Sequence, residues 1–148
     1  MKMIKLYPEC KDNLWGGDRL KTKYGKITDK SIVAESWELS YHKDGPTRIA
    51  DGRTLQETLT KEELGANCDG FPFFPMLIKL IDAKQHLSVQ VHPSDDYALK
   101  YENSFGKTEM WYVVDADDGA GLYLGFNRTV TQEEYEAAIA NNTLTELL

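Results

Sequence analysis

A hydroxyl, an amide and an imidazole alternate along residues Leu87–Pro93, whose sequence is LSVQVHP. In a β-strand, successive side chains point to opposite faces, so Ser88, Gln90 and His92 would share one face while the two intervening valines take the other. Three polar side chains on the inner face of a sheet need partners, because burying a polar group without a hydrogen bond costs free energy. The pattern therefore predicts a polar ligand or a metal ion on this face.

A second polar set lies in Gly106–Val114, with the sequence GKTEMWYVV. On a strand, Lys107, Glu109 and Trp111 would share a face. If this strand lies near the first one in a small barrel, Glu109 would meet the amide and the imidazole. An imidazole nitrogen, a carboxylate oxygen and an amide oxygen form a mixed site that suits zinc or another first-row divalent ion. Lys107 would then be a candidate contact for a phosphate or a hydroxyl group.

The same residues also have a purely structural interpretation. A glutamine two positions before a histidine is a common pattern, and a single histidine on a strand is more often a hydrogen-bonded structural residue. Glu109 could equally be a solvated edge residue, and Lys107 a surface charge. His42, in a turn, and His86, near a strand start, are interpreted as surface or supporting groups. Spacing alone leaves both interpretations open.

Five strands are expected to position these residues. Alternating polar and apolar residues, or short apolar runs rich in Ile, Val, Trp and Tyr, indicate strands. The predicted strands are Ser31–Ser40, Met76–Asp82, Leu87–His92, Glu109–Asp115 and Gly121–Phe126.

Short helices complete the prediction. The spacing of leucines in Thr54–Leu64 indicates one or two helical pieces, and Thr131 with Glu134 forms a capping box at the start of a helix near the C-terminus. A further helical pattern covers Thr143–Leu148. Phe71–Pro75 is excluded from a helix interior by its two prolines.

Composition excludes several classes of protein. The chain has 148 residues with a net charge of −7, which is too acidic for a protein that mainly binds nucleic acid or an anionic membrane. With 41% hydrophobic residues it can fill one core, so one domain is expected over residues 1–148. No apolar run approaches the roughly 20 residues of a membrane span, and the N-terminus lacks a signal-peptide core. Two cysteines make no disulfide framework, and a cytoplasmic location is expected.

Taken together, these segments resemble type I mannose-6-phosphate isomerase, also called phosphomannose isomerase. The resemblance rests on LSVQVHPSDDYA and GKTEMWYVVDA, and it extends in order over NLWGGDRL, VAESWELS, FPFFPMLIKLIDA and LYLGF. It implies a mainly β, cupin-like barrel of the jelly-roll or double-stranded β-helix type. It also implies a zinc-dependent enzyme.

Residue roles follow from the resemblance by position. It implies that Gln90, His92 and Glu109 ligate one zinc ion per chain. Lys107 and Ser88 would line the sugar-phosphate pocket, and Lys107 is the candidate catalytic group. Two further substrate-binding residues are implied, Trp15 at the pocket mouth and Lys79 near the active site.

The sequence departs from the family pattern in two respects. The family takes its fourth zinc ligand from a histidine in an element like P-A-G-x-x-H-A, and its catalytic arginine also lies later; neither element is found here. Arg128 does not occupy the place of that arginine. We therefore expect a cupin-type domain truncated at its C-terminal end, with an open sheet edge that a second copy could cover.

The implied reaction interconverts mannose 6-phosphate and fructose 6-phosphate through a cis-enediol, with a small sugar phosphate as the partner molecule and no nucleic acid or membrane. A first alternative is a non-catalytic module that binds a sugar phosphate or a metal on the same scaffold. A second is an iron-dependent oxygenase of the cupin class. Gln90 argues against the oxygenase, since those enzymes usually present H-x-H at this place.

Overall fold

The computed structural model describes residues 3–148 and divides the chain into two compact units. The first unit ends at Leu87, and the second runs from Ser88 to Leu148. The expectation of a single domain over residues 1–148 stays a prediction.

The first unit contains a three-stranded antiparallel sheet of β1 (Glu9–Lys11), β2 (Glu35–Leu39) and β3 (Ile78–Ile81), with β2 in the centre. Strands were expected at Ser31–Ser40 and Met76–Asp82, and both are confirmed in shorter form. The pairing of β2 with β3 shifts register between Trp37 and Leu39, which marks a bulge or irregularity where β2 ends.

The core of this unit is small. Cys10, Leu20 and Val33 are buried together, with Leu80 of β3 packed against them. Gly16 lies so close to Ala34 that an added Cβ would stand 2.5 Å from the Ala34 Cα. Only glycine allows the turn before the first helix to approach the chain that closely.

Helices in both units are short. The α-helices are α1 (Arg19–Thr22), α2 (Leu55–Thr58), α3 (Asp95–Tyr97) and α4 (Gln132–Ala140). The 3₁₀ turns are Glu62–Leu64, Ala66–Cys68 and Leu144–Leu147, and Ala98–Glu102 forms a π-type turn. The predicted helical pieces in Thr54–Leu64 and Thr143–Leu148 are thus confirmed.

The predicted capping box of α4 is confirmed in both directions. The Glu134 amide donates to Thr131 Oγ1 at 3.2 Å, and Glu134 Oε2 accepts from the Thr131 amide at 2.9 Å. The two bonds satisfy N–H groups that would otherwise lack partners at the first turn of a helix. Thr54 and Glu57 form the same arrangement at α2.

The strand predictions in the second unit are wrong. Leu87–His92, Glu109–Asp115 and Gly121–Phe126 form no strand in the described residues 3–148. A strand needs a ladder of backbone hydrogen bonds to a neighbour, and alternating side chains do not supply that neighbour.

Burial in these segments also differs from the strand prediction. Val91 is 79% exposed and Met110 is 89% exposed, although both were expected on strand faces. The apolar side chains that alternate with polar ones at residues 87–92 therefore do not pack against an apolar core within the second unit. The paired strands that the structure describes all lie in the first unit.

None of the helices formed by residues 3–148 combines the length and the apolar character that crossing a membrane requires.

A buried hydroxyl fixes the chain just after β2. Thr47 is fully buried, and its Oγ1 accepts from the Ser40 amide at 2.9 Å. The same oxygen lies 3.3 Å from the carbonyl oxygens of Trp37 and Glu38, to one of which its hydroxyl donates. This bonding holds the return of the chain against the end of the central strand.

Replacing Thr47 by valine keeps the shape but removes the acceptor of the buried Ser40 amide. We expect Thr47→Val to lower the free energy of unfolding by about 1–3 kcal/mol, the usual cost of a buried group left without a partner. Urea unfolding followed by circular dichroism measures this. The control is Thr129→Val at an exposed position, for which the change should stay within about 0.5 kcal/mol. Equal effects of the two changes would contradict the role given to Thr47.

Candidate active site

His92, Lys107 and Glu109 converge in the second unit. Lys107 Nζ lies 2.7 Å from Glu109 Oε1, and His92 Nε2 lies 3.3 Å from Glu109 Oε2. The distance from Lys107 Nζ to His92 Nε2 is 3.4 Å. His92 and Glu109, which were expected to meet, thus share one cluster with the ammonium of Lys107, and no contact of Gln90 with this cluster is found among the described residues.

Backbone contacts bring the two segments together without a strand ladder. The Lys107 amide donates to the Pro93 carbonyl at 3.2 Å, and the Gly106 amide donates to Asp95 Oδ1 at 2.8 Å. An added Cβ at Gly106 would stand 2.5 Å from the Asp95 nitrogen, so glycine is required for this approach. These contacts hold Pro93, which follows His92, next to Lys107, which lies two positions before Glu109.

The Glu109 carboxylate is held in its charged form. Partial burial raises the pKa of Glu109, but hydrogen bonds from Lys107 and Trp111, the positive charge of Lys107 and the electrostatic effect of the neighbouring His92 outweigh it, so the pKa lies below its ordinary value. The Trp111 indole donates to Glu109 Oε2 at 3.4 Å. The predicted shared face of Lys107, Glu109 and Trp111 is therefore reproduced locally.

Gln90 and Ser88 are bonded to each other. The Gln90 amide nitrogen donates to Ser88 Oγ at 3.0 Å. The carbonyl oxygen is the atom that Gln90 can offer a cation, since the amide nitrogen only donates. The structure brings His92, Lys107 and Glu109 together and pairs Gln90 with Ser88.

Two of the expected donors, His92 Nε2 and Glu109 Oε2, have a spacing that two ligands of one zinc ion can adopt. Two ligands of one tetrahedral zinc ion, each about 2.1 Å from it, lie about 3.4 Å apart. The 3.3 Å between His92 Nε2 and Glu109 Oε2 agrees with that spacing. Within residues 3–148, no group of three or more His, Cys, Asp and Glu side chains could hold a metal, so a third protein ligand from this part would be an amide such as that of Gln90.

Lys79 and Trp15 belong to the first unit. Lys79 Nζ lies 3.1 Å from Glu35 Oε2 and 4.6 Å from the centre of the Trp37 ring, and the Trp37 indole donates to the same carboxylate oxygen. The Trp15 carbonyl accepts from the amides at positions 84 and 85, both at 3.0 Å. The substrate-binding roles of Lys79 and Trp15 remain predictions.

Two contributors to the site were not predicted from the sequence. Asp95 binds the Gly106 amide, and Gly106 itself permits the close approach of the two segments. A glycine directly before a candidate lysine could have signalled close packing, because glycine is favoured where two backbones nearly touch.

Substituting Gly106 tests the backbone contact that assembles the cluster. We expect Gly106→Ala to lower the free energy of unfolding by about 1–3 kcal/mol, because the new methyl group must displace backbone atoms and not a flexible side chain. Gly121→Ala is the matched control, since no atom lies within 4 Å of an added Cβ there. Chemical denaturation of both variants measures the difference. If Gly106→Ala is as stable as Gly121→Ala, the contact does not constrain the site.

Comparison with protein families identifies the lineage. Residues 3–119 match the model described as phosphomannose isomerase type I, catalytic domain. The chain is 39% identical over 148 residues to the probable mannose-6-phosphate isomerase GmuF of Bacillus subtilis, with 97% of this chain and 47% of that protein covered. It is 36% identical to the mannose-6-phosphate isomerase of Streptococcus mutans, covering 97% of this chain and 46% of the other.

Solved structures agree with the sequence comparison. The crystal structure of the mannose 6-phosphate isomerase from Bacillus subtilis is similar with a TM-score of 0.87 and 32% identity, covering 98% of this chain and 48% of that one. The chain spans about half the length of the curated relatives it matches. Because the family model covers most of its residues, the chain belongs to the type I phosphomannose isomerase family.

Proposed function

We propose that this chain serves the reversible isomerisation of mannose 6-phosphate to fructose 6-phosphate by a zinc-dependent mechanism. The observation that carries the proposal is the cluster of His92, Lys107 and Glu109, joined by contacts of 2.7–3.4 Å, in a member of this family. The named relatives are mannose-6-phosphate isomerases, which supports the same substrate here.

His92 Nε2 and Glu109 Oε2 would hold the metal ion, with the Gln90 carbonyl oxygen as the third protein ligand. When bound, such an ion supplies Lewis-acid polarisation of the sugar carbonyl. The lowered pKa of Glu109 favours the ionised carboxylate that ligation needs. The element that bears the fourth ligand in the family resemblance is not found in these 148 residues.

Residues of the protein must carry out the proton transfer of this isomerisation. A base takes the proton from C2 of the aldose and returns it to C1, and a second proton moves from the C2 hydroxyl to the C1 oxygen. The carbonyl group thus moves from C1 to C2 through a cis-enediol without net oxidation. Lys107 carries a positive charge that would stabilise an enediolate or hold the phosphate. We assign the base to no residue of this chain.

The cupin-like barrel belongs to this proposal as well. The described sheet has three strands, and the second unit exposes apolar side chains such as Val91 and Met110. Strands contributed by further residues or by a second copy would cover these side chains and supply missing hydrogen-bond partners. The predictions of a homo-oligomer and of a cytoplasmic location remain open to test.

A non-catalytic sugar-phosphate or metal-binding module is the second candidate. It is favoured because neither the fourth ligand nor the catalytic arginine implied by the family resemblance is found in these 148 residues. Such a module would bind zinc or mannose 6-phosphate and release no fructose 6-phosphate.

An isomerase assay distinguishes the two candidates. We expect the folded, metal-stripped chain to convert mannose 6-phosphate after zinc is restored and to lose conversion when a chelator is added. Glu109→Gln should reduce the rate at least about 100-fold, since losing even outer groups around a metal costs about 10–100-fold. Glu102→Gln, at an exposed position of the same unit, is the control and should keep the wild-type rate.

The other outcomes are equally informative. Binding of zinc and mannose 6-phosphate without turnover, by a chain shown to be folded, would favour the non-catalytic module. Turnover that survives both the chelator and Glu109→Gln would contradict the zinc mechanism.

Zinc affinity gives a further prediction. A site formed by His92, Glu109 and the Gln90 amide should hold zinc more weakly than a site completed by a second histidine, because an amide is a weak neutral donor. We expect this chain to lose zinc to a chelator at lower chelator concentration than the full-length Bacillus subtilis isomerase does. Equal affinities in the competition would show that the missing histidine adds nothing.

A further inference from the structure

Trp37 lies among charged side chains on one face of the sheet of the first unit. Glu35 and Trp37 share this face because they alternate along β2, and Lys79 of β3 lies directly opposite Trp37 in the antiparallel register. The Lys79 ammonium is 4.6 Å from the centre of the Trp37 ring, within the range of a cation–π contact. A tryptophan is thus the direct neighbour of a lysine for which a substrate-binding role is expected.

One carboxylate oxygen joins the Trp37 indole to the Lys79 ammonium. Glu35 Oε2 accepts from the indole nitrogen at 2.5 Å and lies 3.1 Å from Lys79 Nζ. The indole nitrogen can only donate, so its bond holds the carboxylate in the orientation that faces the lysine. The ion pair is largely shielded from water, with exposed fractions of 14% for the Glu35 side chain and 20% for that of Lys79. Trp37 therefore contacts the ammonium and also orients the carboxylate that binds it.

The turn that follows β2 holds the Trp37 ring itself. An added Cβ at Gly45 would stand 2.6 Å from Cε3 of the ring, so the backbone of this turn lies against the indole. The His42 ring meets the indole edge-on, with the ring centres 5.6 Å apart. The Lys11 ammonium lies 5.0 Å from the centre of the Trp37 ring and donates to the Asp44 carbonyl of the same turn. These contacts restrict the orientations that the ring can adopt.

A lysine side chain held in this way is prepared to bind an anion. An unrestrained lysine loses rotamer freedom when it contacts a ligand, and this loss weakens binding by about two- to tenfold. The contacts with Glu35 and Trp37 restrict Lys79 before a ligand arrives, so less of this freedom remains to be lost. An ammonium group has three donors, and the bond to Glu35 uses one of them.

We propose that Trp37 is a positioning residue for Lys79: it contacts the ammonium, orients Glu35 against it, and so holds Lys79 in place for a sugar phosphate. This inference rests on the proposed function, which supplies the sugar phosphate, and on the substrate-binding role expected of Lys79. It assigns to Trp37 an effect on ligand affinity that is transmitted through another side chain.

A double-mutant cycle on ligand affinity tests the inference. The ligand is mannitol 6-phosphate, which lacks the carbonyl group of mannose 6-phosphate and cannot be isomerised. Its dissociation constant is measured by isothermal titration calorimetry with zinc present. Lys79→Met should weaken binding at least about tenfold, because a hydrogen bond between charged groups is lost. Trp37→Phe keeps an aromatic ring but removes the indole donor, and it should weaken binding about three- to tenfold.

The double variant separates positioning from a purely structural role. If Trp37 acts through Lys79, adding Trp37→Phe to Lys79→Met should change the dissociation constant less than about twofold. Tyr24→Phe is the matched control, since it also removes a polar group from a ring beside a lysine, here Lys23 at 5.8 Å, and it should leave affinity within about twofold. Circular dichroism verifies folding, and Glu35→Gln replaces Trp37→Phe in the cycle if the latter does not fold.

A second measurement applies even where Lys79→Met abolishes measurable binding. Carbon-13 NMR relaxation reports the mobility of the lysine Cε groups in the unliganded chain. We expect Lys79 to be more ordered than the exposed Lys43 in the wild type and to approach the mobility of Lys43 in Trp37→Phe. Equal mobility of Lys79 in the wild type and in Trp37→Phe would overturn the inference.

The outcomes separate this inference from the proposed function. Equal weakening by Trp37→Phe in the presence and in the absence of Lys79 would overturn the positioning role and leave the sugar-phosphate site standing. Wild-type affinity in Lys79→Met would also overturn it, because Lys79 would then not contact the ligand. No binding of mannitol 6-phosphate by the folded wild-type chain would overturn the proposed substrate and the inference together.

Discussion

The attraction between Lys107 and Glu109, 2.7 Å apart and partly shielded from water, is the contact on which the candidate site depends. It keeps the carboxylate ionised and places it 3.3 Å from the imidazole of His92. A partly exposed ion pair holds two segments together only weakly, because water can solvate each charge separately. Hydrogen bonds of the backbone must therefore hold the two segments in place. The Gly106 amide on Asp95 and the Lys107 amide on Pro93 do so.

The first unit shows how the same chemistry can be structural. Glu35 on the central strand faces the Lys79 ammonium and the Trp37 indole, so both its charge and its hydrogen-bonding capacity are used. A pocket role for Lys79 therefore requires the ammonium to serve a sugar phosphate and Glu35 together.

Residue types and spacing predicted that His92 and Glu109 would meet, and the structure places them 3.3 Å apart. Spacing left a purely structural interpretation of these residues open, and their roles in metal and substrate binding came from the family resemblance and remain predictions. The strands expected around them are absent from the described residues, since alternation predicts which side chains share a face and not whether a neighbouring strand exists. The capping box of α4 was predictable because its bonds span only three residues.

The central claim is that His92 Nε2 binds the metal ion. Nitrogen-15 NMR of the histidine rings during zinc addition tests it directly, and the chain has three histidines, His42, His86 and His92. We predict that, of the three histidines, His92 takes the shift of a metal-bound nitrogen at Nε2 while its Nδ1 stays protonated. Unchanged His92 signals while zinc binds, or metal-bound signals at His42 or His86, would contradict it.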